Sequence, residues 1–201
     1  MSISRTHVLV AAAATVLFAA GCSDDNTTTH STEHSSTTTA ATSATASTDF
    51  NAADVSFLQM MYPHHAQAVE MAKMVPSHTQ NQQLIALAAQ VEQAQAPEMQ
   101  QITDLLAGFG EPAPSATEGH GGHDMPGMMT DAQMSSLQAA NGADFDRQWL
   151  EMMIAHHEGA VEMAKTELNA GVNPRARQLA TKIVADQEAE ITTMRGMLGQ
   201  N

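Results

Sequence analysis

Read against itself at an offset of 92 positions, the distance from His64 to His156, the chain matches residues 54–106 to residues 146–198 with no net insertion. Met60-Met61-x-x-His64-His65 meets Met152-Met153-x-x-His156-His157, and Ala68-Val69-Glu70-Met71-Ala72-Lys73 meets Ala160-Val161-Glu162-Met163-Ala164-Lys165. Further along, Asn81 pairs with Asn173, Leu87-Ala88 with Leu179-Ala180, Gln95 with Gln187 and Glu98 with Glu190. A repeat of this length constrains the fold before any single element does, because each copy must be one supersecondary unit completed by the other.

Each copy reads as two helices. Ala, Gln, Met, Leu and Glu dominate, and β-branched runs with period-two alternation are missing, so the expected class is all-α. The first helix, about 53–75, carries Phe57, Met60, Met61, His64, Ala68, Met71 and Val75 on one stripe. His64 lies near the centre of that stripe, and His65, about 100° further round, is expected at its border. Pro76 is expected to close the helix, and Pro63 to kink it just before the histidines; repeat 2 has Ala155 in that place and should be straighter. The second helix, about 82–107, has an apolar stripe interrupted by Gln95 and Glu98, as Gln187 and Glu190 interrupt its counterpart.

A short turn near 76–81 makes the two helices antiparallel neighbours. Measured from that turn at 1.5 Å per residue, His64 lies about 18 Å and Gln95 about 21 Å away, so the two reach the same level. Two such hairpins about a pseudo-twofold axis make a four-helix bundle with His64, Gln95, Glu98, His156, Gln187 and Glu190 at mid-height. Buried carboxylates without partners are costly, so these groups must satisfy one another, hold water or bind a cation. The connection from Gly108 to about Asp144 is long, as in ferritin-like bundles, and holds a short helical piece near 130–140 with capping-box spacing at Thr130 and Gln133. Its Gly-rich part holds His120, His123, Asp124, Met125, Met128 and Met129 within ten positions; His120, His123, Met125, Met128 and Met129 read either as mobile ligands that hand ions to the bundle or as part of a solvated loop.

The N-terminal segment points outside the cytoplasm. Residues 1–21, with Arg5 ahead of a short apolar stretch, have the form of an export signal. That stretch ends in Leu17-Phe18-Ala19-Ala20-Gly21-Cys22, similar to a lipobox in which Cys22 becomes lipidated. As the sole cysteine, Cys22 forms no intrachain disulfide, and lipidation accounts for both its position and its solitude. Residues 22–48, rich in Ser, Thr and Ala, read as a disordered tether in which His30 and His34 form no defined site, and residues 49–201 as the bundle. The expected place is the cell envelope, extracytoplasmic, anchored to the membrane by lipid at Cys22. With 22 acidic against 8 basic residues and a formal charge of −14, nucleic acid is a poor partner and cations are suitable ones.

The motif Asp54-x-x-Phe57-x-x-Met60-Met61-x-Pro63-His64-His65, its echo from Phe145-Asp146 to Gly159-Ala160, the Gln-x-x-Glu helices and Met125-Pro126-Gly127-Met128-Met129 resemble the bacterial domain of unknown function 305 family. The resemblance implies a ferritin-like α-bundle, exported or lipid-anchored, with copper binding proposed for some members. It implies no enzymatic activity.

A thioether and imidazole set without cysteine suits Cu(I) or Ag(I). The expected ligands are His64, His65, His156 and His157, with Met60, Met61, Met152 and Met153 one turn before them as soft co-ligands. Glu98 and Glu190 add oxygen ligands, or orient imidazoles together with Gln95 and Gln187. Met71, Met99 and Met194 are read as core. Zinc on four histidines or a mixed set stays open. A di-iron oxidase needs Glu-x-x-His on two helices, whereas Glu98 and Glu190 are followed at the third position by Gln101 and Thr193. The reading is a copper-binding envelope protein for tolerance, storage or transfer, not an enzyme. Its rival is a structural or interaction lipoprotein whose polar centre only fixes helix register.

Overall fold

The computed structural model describes residues 49–112, 114–115 and 125–199; the expected signal, Cys22, the tether, His120 and His123 lie outside them. Five helices follow in order: α1 (Ala52–His78), α2 (Gln82–Phe109), α3 (Asp131–Ala139), α4 (Gly142–Ala170) and α5 (Pro174–Met197). The described residues contain no strand, and no helix among them is long and apolar enough to cross a membrane.

α1 pairs with α2 and α4 with α5 as the repeat requires, and the hairpins join chiefly along α1 and α4. These two run antiparallel. Asn51, before α1, donates its side-chain amide to Ala170 at the end of α4, and Trp149, early in α4, donates its indole N–H to the Met71 carbonyl late in α1. The ends of the seam are fastened crosswise. Asp54 accepts backbone N–H bonds from Val172 and Asn173, and its repeat counterpart Asp146 accepts the side-chain amide of Asn81, the counterpart of Asn173. Phe57, Leu58, Met61, Ile102 and Leu105 fill one end of the core, while Met71, Leu84, Phe145, Trp149 and Met153 fill the other.

Local signals explain the helix ends. Asn51 caps α1 in a reciprocal box with Asp54, Asn81 and Asn173 cap α2 and α5, and Thr130 with Gln133 forms the expected box on α3. Pro76 does not close α1. The helix continues to His78 because the Ser77 hydroxyl and the His78 Nδ1–H both bond to the Met74 carbonyl, and His78 Nε2 lies 3.1 Å from the Gln138 carbonyl at the end of α3. α1 also runs unbroken through Pro63.

Candidate metal centre

All four histidines are fully buried, which corrects the expected border position of His65 and His157. The reason is that α1 is covered on two sides, by α2 and by α4, and α4 likewise by α5 and α1. Adjacent residues about 100° apart then each face a different neighbour. His64 turns to the seam, where its ring lies 3.8 Å from that of His156, and His65 turns to α2, where Nε2 donates to Glu98 at 2.8 Å. His157 repeats this with Glu190 at 2.8 Å. The carboxylates therefore meet His65 and His157, not His64 and His156 as expected.

The hydrogen bonds fix which nitrogen is left over. Glu98 is held below the usual carboxylate range: burial opposes this, but the bonds from His65 and from Lys182 Nζ, at 2.9 Å, outweigh it. An ionised carboxylate accepts, so Nε2 of His65 carries the proton and, in the neutral ring, Nδ1 holds the lone pair. His64 donates Nε2–H to the Pro126 carbonyl at 3.0 Å, again leaving Nδ1. Burial drives the His64 pKa down to about 3, with His65 and His157 adding to the effect against the Pro126 bond. His156 is lowered well below its ordinary value by burial first and then by the neighbouring imidazoles. Both rings of the seam pair are therefore neutral.

Nδ1 of all four histidines is buried without a hydrogen-bond partner. Neither nitrogen of His156 makes a bond of good geometry, the His64 backbone offering only a weak contact. Gln95 leaves both amide atoms unpartnered, and Gln187 its oxygen. So many orphaned polar atoms in one buried layer is costly, and an imidazole tied through Nε2 to a carboxylate with a free Nδ1 is how proteins present a metal ligand. Among the described residues, no three His, Cys, Asp or Glu side chains already form a metal-ligating cluster.

The methionines divide. Met61 and Met153, one turn before His65 and His157, are fully buried, whereas Met60 is 36% exposed and Met152 is half-buried. The linker is a second correction. Residues 125–130 lie on the bundle and are not a free collector: Pro126-Gly127 centres a turn closed by Met128 N–H to the Met125 carbonyl, with Gly127 at φ +78°. Met129 is buried in the core and its backbone is clasped by the Gln67 amide through bonds of 2.8 and 2.7 Å. Gly159 admits this segment, since a Cβ there would collide with the Pro126 carbonyl.

Gln67, Gly159, the Pro126 carbonyl and Lys182 were not among the residues expected from sequence. The signal for three of them is a break in the repeat: Gln67 stands opposite Gly159, and Lys182 opposite Gln90. The matched lysines of the two repeats behave alike, Lys73 reaching Glu92 and Lys165 reaching Glu188 on the hairpin partner.

Fold and centre together define a duplicated all-α bundle with a buried imidazole layer at the seam between its halves. The model of the domain of unknown function DUF305 matches residues 54–198, and the chain belongs to that family. A DUF305 fragment from Deinococcus radiodurans superposes with a TM-score of 0.66 at 33% identity, covering 75% of this chain and 98% of that one. A candidate secreted DUF305 protein from Streptomyces coelicolor gives 0.65 at 34% identity, covering 74% and 93%. CopM in its Cu(II)-bound form gives 0.63 at 33% identity, covering 72% and 94%, and CopM has also been solved in Cu(I)-bound, Ag-bound and apo forms. An uncharacterised protein of Acanthamoeba polyphaga mimivirus is 42% identical over 55 residues, a match spanning 36% of that protein's length.

Proposed function

We propose that this protein is an extracytoplasmic, lipid-anchored binder of soft metal ions, Cu(I) or Ag(I), that stores or transfers its ion and does not turn over a substrate. The observation that carries the reading is the set of four fully buried imidazoles whose Nδ1 nitrogens have no partner. His64, His65, His156 and His157 supply those nitrogens. Met61 and Met153 add thioether sulfur one turn away, and Glu98 and Glu190 orient two of the rings through Nε2. Neutral imidazole and thioether donors suit a soft monovalent ion, whereas a di-iron site needs several carboxylates. The metal-bound forms of CopM and the secreted character given to the Streptomyces relative support the metal and the compartment.

One observation favours a structural role instead: Lys182, Glu98 and His65 link α5, α2 and α1 in one network. Anaerobic titration with Cu(I), Ag(I), Zn(II) and Fe(II) decides between the two. Tight stoichiometric binding of Cu(I) and Ag(I), abolished when His64, His65, His156 and His157 become Ala, is the expected result. No tight binding, or binding indifferent to those substitutions, would leave the structural role.

A further inference from the structure

A cation bound for four fully buried imidazoles must displace something on the way in. His65 and His157 are closed off by glutamates on their own hairpin partners. His64 differs, because its partner is the carbonyl of Pro126 in a non-helical strap, residues 125–130, laid across the α1–α4 seam. The strap is fastened by Gln67 to Met129 and by His64 to Pro126. Between these points the backbones of Gly127 and Gly159 lie so close that a Cβ on either would crowd the other.

Pro126 also lines a cavity of about 370 Å³, together with Phe57, Met60, Glu162 and Met163, among others. Two thioethers thus line a space that shares a wall with the group holding His64. Met60 is 36% exposed and reaches solvent, while Met163, at 6%, lies deeper. At the opposite end of the seam the equivalent residues are packed more tightly. There Met71, the counterpart of Met163, is fully buried, and Trp149, the larger counterpart of Phe57, is hydrogen-bonded to the Met71 carbonyl.

We propose that this cavity is the entry port of the imidazole centre: Met60 and Met163 take up a soft monovalent cation, and displacement of Pro126 from His64 lets it pass inward. The inference rests on the soft-metal reading above and adds a route and a gate to it. Thioethers are neutral, soft and exchangeable, which suits a transit site, and the exposed carboxylate of Glu162 at the rim attracts cations. Ligands exchange along this route, with no change of oxidation state.

The test is stopped-flow loading of the full chain with Ag(I), and with Cu(I) under anaerobic conditions, alongside the equilibrium count of ions bound. Met60→Leu with Met163→Leu, which keeps the cavity close to its original volume, is expected to slow loading several-fold and leave the final stoichiometry unchanged. Gln67→Ala, which unfastens the strap, is expected to speed loading and release. Far-UV circular dichroism checks that each variant is folded, and Met60→Leu alone, at an exposed position, is the variant least able to disturb the fold. Unchanged rates in the methionine and Gln67 variants, with stoichiometric binding intact, would overturn the port and leave the metal centre standing. A lower ion count in the double methionine variant would also overturn it, by making those residues resident ligands. A wild-type chain that binds neither ion overturns both.

Discussion

The two halves of the bundle carry the same imidazole–carboxylate pair and differ in what surrounds it. Glu98 is 5% exposed and also receives Lys182 from the opposite hairpin, whereas Glu190 is 17% exposed and the counterpart of Lys182 is the uncharged Gln90. Asp54 gathers backbone N–H bonds from Asn51, Val172 and Asn173, while Asp146 holds the Asn81 side chain and leaves one oxygen unpartnered. Where repeat 1 has Val75, repeat 2 has Glu167, buried beside Asp54. The duplication thus supplies paired ligands, and the linker and these single replacements give each half its own surroundings.

Breaking the aspartate comparison should have the largest effect. Asp54→Ala strips several N–H groups of a charged acceptor and should cost about 3 kcal/mol, against about 1 kcal/mol for Asp146→Ala, read from urea unfolding. Equal losses would mean that the crosswise fastening is as strong at both ends.

The Glu167 and Val75 difference is sharpened by pH. Burial first, and then the neighbouring carboxylate of Asp54, push Glu167 up to about 8 against a weaker opposing effect of Arg177. Asp54 is held below its ordinary value: burial opposes this, but the N–H bonds of Asn51, Asn173 and Val172, with Glu167 close by, outweigh it. With its folded pKa above the unfolded 4.5, Glu167 contributes stability that is complete below 4.5 and lost as pH rises through about 8. Wild type should lose on the order of 2–3 kcal/mol between pH 5 and pH 9, and Glu167→Gln should flatten that slope in thermal melts. The seam pair acts in the other direction. His64, neutral in the fold down to about 3, contributes stability that is full above 6.5 and lost as pH falls toward 3.

The two carboxylates of the centre come next. Glu98→Ala orphans the Nε2–H of a fully buried imidazole and frees Lys182, so a loss of about 2 kcal/mol is expected, against about 1 kcal/mol for Glu190→Ala, whose site water reaches more easily. A larger loss at Glu190 in the same denaturation series would reverse the ranking by burial. Smallest of all, Lys165→Ala removes an exposed pair at 2.7 Å and Lys73→Ala one at 3.9 Å, and both should shift stability by less than about 0.5 kcal/mol.

Much of this was legible in the sequence. The offset repeat predicts the two hairpins, and helix rise brings the His-His turn of α1 close to the Gln-x-x-Glu turn of α2, where the pair that meets is His65 with Glu98. The partner of each histidine was not legible, because a single apolar stripe was assumed to have one direction. A bundle helix has two buried neighbours, so His64 and His65 each face one of them. Residues 125–130 depart from the expected mobile ligands for a related reason: glycine suggests freedom in a sequence, but Gly127 and Gly159 are small so that two backbones can touch. The most informative residues are those where the copies disagree, Gln67 against Gly159, Gln90 against Lys182 and Val75 against Glu167, since each marks something the symmetry did not supply.

X-ray absorption at the copper edge of the anaerobically loaded Cu(I) protein tests the central claim most directly. The account requires imidazole nitrogen scattering together with a sulfur shell, the sulfur lost in the Met61→Leu, Met153→Leu variant and the imidazole signature lost when the four histidines become Ala. A spectrum of oxygen ligands only, or one identical in wild type and the four-histidine variant, would contradict it.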